Sequence, residues 1–417
     1  MLQFNFPMIS EKFPSWLVNA FALIFSYSLL CRFLRFRRMK QKHAQYPYKT
    51  TESFANMTAD DAYEIAKYTF SLEFPFTMEK AAQFALFRTY GIPSISKLLC
   101  ETKQLSEPAT ASKRYADTVI LINEFISNPP TSDRAISAIS RMNYLHSVYQ
   151  KAGKISNDDM LYTLSLFVLE TDRWIRTYEW RAMTPMEVCA MGTQWKNIGD
   201  AMGISFTPLA SGPSGFRDGL QFTEKLRVWS EAYEERFMVP DKWNNKLADE
   251  TVAILVYNLP EWLKGPARKV VATLMDERLR KAMIYPTPSP SYTMFVSAVF
   301  AARKMVLRNL ALPRPYFLRF RALSEKPDKK TGRYYRWFYE IEPWYIQESF
   351  WNCYGPEAWI RWMAGRPYPG GQKYKSQGYH MYEVGPTDMD GKGMGAYEET
   401  RQKLFAQGRG ACPFGFS

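Results

Sequence analysis

Apolar residues recur with helical spacing through most of the stretch from residue 59 to residue 311, which makes a bundle of helices the natural fold. The spacing predicts helices over 59–73, 77–90, 112–127, 133–151, 157–178, 184–202, 217–236, 247–257, 266–284 and 290–311. Pro and Gly punctuate them at Gly91-Ile92-Pro93, Asn128-Pro129-Pro130, Gly153, Pro208 to Gly215 and Pro286 to Pro290. Thr58 reads as the N-cap of the first helix. Strand-like alternation is scarce, so the expected fold class is all-α.

Ahead of this region the chain reads WLVNAFALIFSYSLLC from Trp16 to Cys31, without a charge, and six Lys or Arg follow between Arg32 and Lys42. About 20 apolar residues cross a bilayer, so the run spans one with help from snorkelling arginines or in a thin membrane such as the endoplasmic reticulum. A signal peptide is the competing reading. The run follows Glu11 and Lys12 and ends in FLRFRRMKQK rather than small residues, which favours a retained anchor. The positive-inside rule then places the N-terminus in the lumen and the rest in the cytosol. A glycan on the sequon Asn56-Met57-Thr58 would reverse that orientation.

This gives a lumenal N-terminus (1–15), a transmembrane anchor (16–36), a basic linker (37–58), a helical domain (59–312), an aromatic-rich extension (313–364) and a Gly/Pro/Tyr-rich tail (365–417) expected to be weakly ordered. Residues 292–312 are interrupted by Arg303 and Lys304 and suit a buried or interfacial helix better than a second crossing. The net charge of +13 forms no recognisable nucleic-acid module, and six of the positive residues cluster beside the anchor, so an anionic membrane explains the excess. Five scattered cysteines with no CxxC pattern argue against a disulfide scaffold, a zinc finger or covalently attached haem.

The chain has no GxSxG, P-loop, HExxH or HxD motif, which removes the usual hydrolase, nucleotide-phosphate and facial-iron-triad chemistries. The GxGxxA string from Gly391 to Ala396 follows no strand and reads as chance. A thiolate-haem reading is suggested by FAQGRGAC ending at Cys412 and by the ExxR from Glu277 to Arg280. It fails on layout, because only five residues follow Cys412.

Three histidines constrain any imidazole chemistry. His43 lies in the basic flank and His380 in the tail. His146 lies on the helix predicted over 133–151, capped by Thr131 or Ser132 and stopped by Gly153, and it shares a face with Ile139, Met142, Asn143 and Tyr149. A lone histidine on such a face is most often a satisfied core residue. One helix earlier, Arg114, Thr118, Leu121 and Phe125 form a stripe with Asp117 beside it, so the two helices suit a sandwich around a flat cofactor. The plain alternative is a surface Arg-Asp pair of little consequence.

At these residues the sequence resembles the catalytic domain shared by fungal endoplasmic-reticulum-bound oxygenases and bacterial rubber oxygenases, the latex-clearing proteins. RxxxT from Arg114 to Thr118 is similar to that family's distal motif, and NYLHSVY around His146 to its haem-ligand helix. The stretch from Phe167 to Ile204 is also similar, and the likeness covers about residues 60–310.

The resemblance implies a globin-related helical domain binding haem b, with His146 as iron ligand and dioxygen as co-substrate. It implies oxidative cleavage of a carbon-carbon double bond in a prenyl chain, in particular the farnesyl chain of a phthalide, as in mycophenolic acid biosynthesis. Arg114 is then expected to stabilise developing negative charge, Thr118 to donate a hydrogen bond, and Asp117 to shuttle a proton from a desolvated position. Where rubber oxygenases carry a lysine that caps the distal iron, this chain has Asp117. A thiolate-haem monooxygenase and a non-catalytic anchored scaffold remain the alternatives.

Overall fold

The computed structural model describes residues 14–212 and 215–414. The lumenal segment expected over 1–15 lies, through residue 13, outside the described residues. Sixteen α-helices and no β-strand are found among the described residues, so the chain is all-α as expected. Isolated bridges such as Tyr334 to Tyr379 are the only ladder pairs among them.

The first helix, α1 (Ser15–Ala44), contains the apolar run and is the one helix among the described residues long and apolar enough to cross a membrane. The helical domain follows as α2 (Ala59–Tyr68), α3 (Pro75–Thr89), α4 (Pro93–Glu101), α5 (Pro108–Ile126), α6 (Asp133–Lys151), α7 (Asn157–Tyr178), α8 (Pro185–Ala201), α9 (Gly219–Phe237), α10 (Lys242–Leu255), α11 (Glu261–Leu274), α12 (Glu277–Ala282) and α13 (Pro290–Asn309). Thr58, Ser132, Ser156 and Thr184 cap α2, α6, α7 and α8 by accepting N–H bonds from the first turn, and Thr184 with Glu187 completes a capping box.

Two expectations are corrected in detail. The helix read over 59–73 gives way at Thr69 to one π turn, Thr69–Glu73, that places Phe70 and buries Glu73. The helix read over 266–284 is two, because Asp276 leaves the helical conformation to cap α12 through the Leu279 N–H while its carboxylate pairs with Arg88. Helix α4 was not anticipated.

α3 packs on α7, α5 on α6, and α8 on both α2 and α9. The α8–α9 crossing depends on glycine: a Cβ on Gly192 would lie 2.2 Å from the Gly219 carbonyl oxygen, and one on Gly219 would lie 2.1 Å from that of Cys189. Backbone cannot yield there, so the helices meet at main-chain distance. Around this crossing Phe206, Phe216 and Phe222 pack edge to face, and Trp195 stacks on Phe167 at 4.5 Å between centroids.

The tail is not weakly ordered in its described part. It holds α16 (Met394–Ala406), which lies on α6, while the aromatic-rich extension before it holds α14 (Phe350–Tyr354) and α15 (Pro356–Met363). Arg141 of α6 is fully buried and donates to the carbonyls of Val384 at 2.8 Å, Met389 at 2.7 Å and Lys392 at 2.7 Å. One guanidinium thereby fixes three turns of irregular chain. The GxGxxA string is no phosphate loop: Gly393, at φ +76°, precedes α16 and sits against Tyr144.

Glu124 near the end of α5 is the second tie. Its buried carboxylate accepts two bonds from Arg134 of α6 at 2.7 Å each, one from the Tyr379 hydroxyl at 2.6 Å and one from Asn128 at 3.0 Å. It joins the two helices across the Pro129-Pro130 turn and joins both to the tail.

Two outcomes follow. Arg141→Leu strips three carbonyls of their donor and is expected to expose the segment after residue 384 to limited proteolysis while far-UV dichroism stays helical; an uncleaved tail would contradict the account. Burial opposes ionisation of Glu187, but bonds from His43, Arg181 and the Thr184 N–H outweigh it and hold the carboxyl at about 2, against 4.5 unfolded. Its contribution, about 3 kcal/mol, is therefore present above pH 4.5 and disappears as the pH falls towards 2. Urea midpoints between pH 7 and pH 3 should fall less steeply in Glu187→Gln than in the parent chain.

Candidate functional site

α5 and α6 run as a hairpin and bring three of the four predicted residues to one place. Arg114 and Thr118 stand one turn apart on α5: the Arg114 guanidinium donates to the Thr118 hydroxyl oxygen, and that hydroxyl donates to the Arg114 carbonyl at 2.8 Å. The threonine therefore orients the guanidinium, and its own proton is already committed to the backbone.

His146 faces them from α6. Its Nδ1 is buried with no hydrogen-bond partner, and neither ring nitrogen is engaged among the described residues. Burial, followed by the nearby positive charge of Arg114, lowers its pKa from 6.5 to about 4. The ring is thus neutral, with a lone pair to offer and no protein group accepting the offer. This departs from the plain expectation of a satisfied core histidine: the residue is half-buried, yet its buried Nδ1 is left without a partner, which costs free energy. Ile139 and Met142 of the same face are buried as the spacing predicts, and Asn143 donates to the Ala201 carbonyl at 2.9 Å.

Asp117 is placed differently. Its carboxylate is fully buried, with one oxygen accepting from Lys113 at 2.9 Å and the other from the Tyr345 hydroxyl at 2.7 Å. Burial raises its pKa, and Lys113 and Tyr345 oppose the rise. The plain expectation of a surface Arg-Asp pair is overturned, since the partner is Lys113 at i−4 and the pair is inside. Lys113 also donates to the Gly385 carbonyl, so the pair ties α5 to the tail. Tyr345 has φ +62°, a left-handed conformation rare for a tyrosine.

Tyr90, at the end of α3, was missed by the sequence. It is buried, and burial lifts its hydroxyl to about 12 while the nearby Arg114 charge opposes the rise, which places it at the same site. Its one sequence signal is a position before the Gly91-Ile92-Pro93 break.

The remaining candidates lie elsewhere. His43 Nε2 is 3.4 Å from Glu187, and His380 stacks on Tyr382. Cys412 donates to the Ala55 carbonyl at 3.3 Å while Arg280 donates to that of Tyr285 at 2.8 Å, so the two halves of the thiolate-haem pattern serve different loops. No three His, Cys, Asp or Glu side chains gather as a metal site among the described residues. A metal at His146 would take its other ligands from a bound group, which is the donor set a porphyrin completes.

No protein-family model matches the chain. Curated relatives do. An ER-bound oxygenase mpaB′ of Penicillium brevicompactum is 46% identical over 401 residues, 96% of this chain and 95% of that protein. The ER-bound oxygenase mpaB of the same species is 42% identical over 90% of this chain and 89% of its own length. A third, the ER-bound oxygenase mpaB of Penicillium roqueforti (strain FM164), is 48% identical over 277 residues, 66% of this chain and 93% of its own. The chain belongs to the mpaB family of ER-bound oxygenases.

Proposed function

We propose that the protein is a haem-dependent oxygenase that uses dioxygen to cleave a carbon-carbon double bond in the prenyl side chain of a lipophilic substrate, the farnesyl chain of a phthalide of the mycophenolic acid type. The observation that carries this reading is the neutral, half-buried imidazole of His146, whose buried Nδ1 has no partner and which lies within the field of the Arg114 charge. Haem b, when bound, supplies the redox chemistry that activates dioxygen.

The protein's own residues do the rest. His146 would hold the group from α6, with Arg114 and Thr118 of α5 nearby. Arg114 keeps donors free beyond the one spent on Thr118, and these suit an oxygen-rich group acquiring negative charge. Thr118 fixes the plane of that guanidinium. Asp117 acts from behind: through Lys113 and Tyr345 it fixes α5, and its raised pKa equips it to hold a proton in reserve beside Arg114.

α1 serves as a single membrane anchor, with the helical domain on the cytosolic side of the endoplasmic reticulum. The basic residues after the apolar run support the cytosolic side, and the relatives' description as ER-bound supports the membrane. Asn56 is exposed and makes the orientation testable.

His146→Ala is expected to purify without haem absorbance yet with a parental circular dichroism spectrum, since the substitution removes an unpaired group. A variant that keeps haem and turnover would overturn the reading. Arg114→Ala should retain haem and lose on the order of 10²- to 10³-fold in turnover, and unchanged turnover would contradict its role. In Asp117→Asn a shift of the pH-rate profile with haem retained speaks for proton transfer; lower stability with an unmoved profile assigns it to positioning alone. Expression with endoplasmic-reticulum microsomes should leave Asn56 unglycosylated, whereas a glycosidase-sensitive mass shift would place the domain in the lumen.

A further inference from the structure

α13 buries one residue, Val296. Met294, Phe295, Met305 and Val306 stand in the open along it, and the chain that returns from it adds Leu310, Leu312, Tyr316, Phe317 and Leu318. Met305 is 67% exposed and Phe317 72%. An apolar surface of this extent is unfavourable in water and marks a contact with something apolar.

The position of the tip identifies that contact. The Tyr27 hydroxyl donates to the Leu310 carbonyl at 3.1 Å, Ser28 meets Asn309 at 3.5 Å, and Arg35 donates to the Ala311 carbonyl at 2.7 Å. Tyr27 and Ser28 belong to the uncharged run of α1, ahead of its first arginine at 32. At 1.5 Å per residue, Tyr27 lies roughly 8 Å along the helix from that arginine. A non-spanning amphipathic element sinks about 5–10 Å into a bilayer, the same depth.

The tip is also prepared for lipid. Backbone carbonyls without partners are costly in hydrocarbon, and those of Leu310, Ala311 and Leu312 all accept bonds from α1. Arg308 and Arg314 stand exposed on either side, where phosphate headgroups would meet them.

Resting on the reading of α1 as an anchor, we propose that α13 and the return through Leu318 form a second, non-spanning contact with the bilayer, seated against α1. One consequence concerns access. The residues directly after Leu318, Arg319 to Glu325, wall a cavity of about 270 Å³ whose other walls include Tyr63, Phe70 and Arg134. The contact would bring that cavity close to the lipid face.

The test uses the full-length chain in phosphatidylcholine and phosphatidylserine vesicles. Nitroxide labels are placed at Met305→Cys and Phe317→Cys, with Leu23→Cys reporting the anchor, Val228→Cys on α9 reporting water, and the parent chain as labelling blank. These side chains are exposed, so folding does not depend on them. Collision rates with oxygen and with a water-soluble nickel chelate are compared. Labels at 305 and 317 are expected to show an oxygen-to-nickel ratio several-fold above that at 228 and close to that at 23. A ratio matching 228 overturns the proposal, and so does shielding from both quenchers, which would mean that a second copy or another protein covers the face. If position 23 itself reads as water, the anchor has failed, an outcome distinct from failure at 305 and 317 alone.

Discussion

The candidate site depends on the angle between two helices, and a single buried carboxylate sets it. Glu124 accepts both arms of the Arg134 guanidinium across the Pro129-Pro130 turn, and Tyr379 and Asn128 take its remaining lone pairs. A charge in that position is tolerated because every acceptor site is filled. The hairpin is held at one end by Glu124 and at the other by the Lys113–Asp117–Tyr345 set, which keeps Arg114 of α5 close enough to His146 of α6 for its charge to act on the ring.

The same ties explain which parts of the structure were legible in the sequence. α6 could be read whole, since Ser132 and Gly153 mark its ends and His146 shares a face with residues that are buried. The Arg114–Thr118 stripe was equally local. The order of the tail was not legible, because it comes from Arg141 and Glu124, more than 240 residues distant in the chain from the groups they hold there. Its Gly- and Tyr-rich composition suggested looseness that these ties remove. Asp117 is a mixed case: Lys113 was readable at i−4, but Tyr345 was not, and the tyrosine turns the carboxylate into a buried brace. The π turn at Thr69–Glu73 has no simple sequence signal either.

Membrane attachment and chemistry meet in one arrangement. α1 does more than supply an apolar run, since its polar side chains at 27, 28 and 35 satisfy the end of α13 and bring an apolar surface to its side. The relatives' shared description as ER-bound oxygenases suits a chain whose long apolar helix packs against an exposed apolar surface.

The central claim is that His146 would hold a haem iron through its unpaired ring. The visible spectrum of the reduced, carbon-monoxide-treated full-length chain tests it most directly. The account predicts the Soret band of an imidazole-ligated, six-coordinate carbon monoxide complex. A band at the thiolate position, or no haem absorbance in protein produced with ample haem supply, would contradict it.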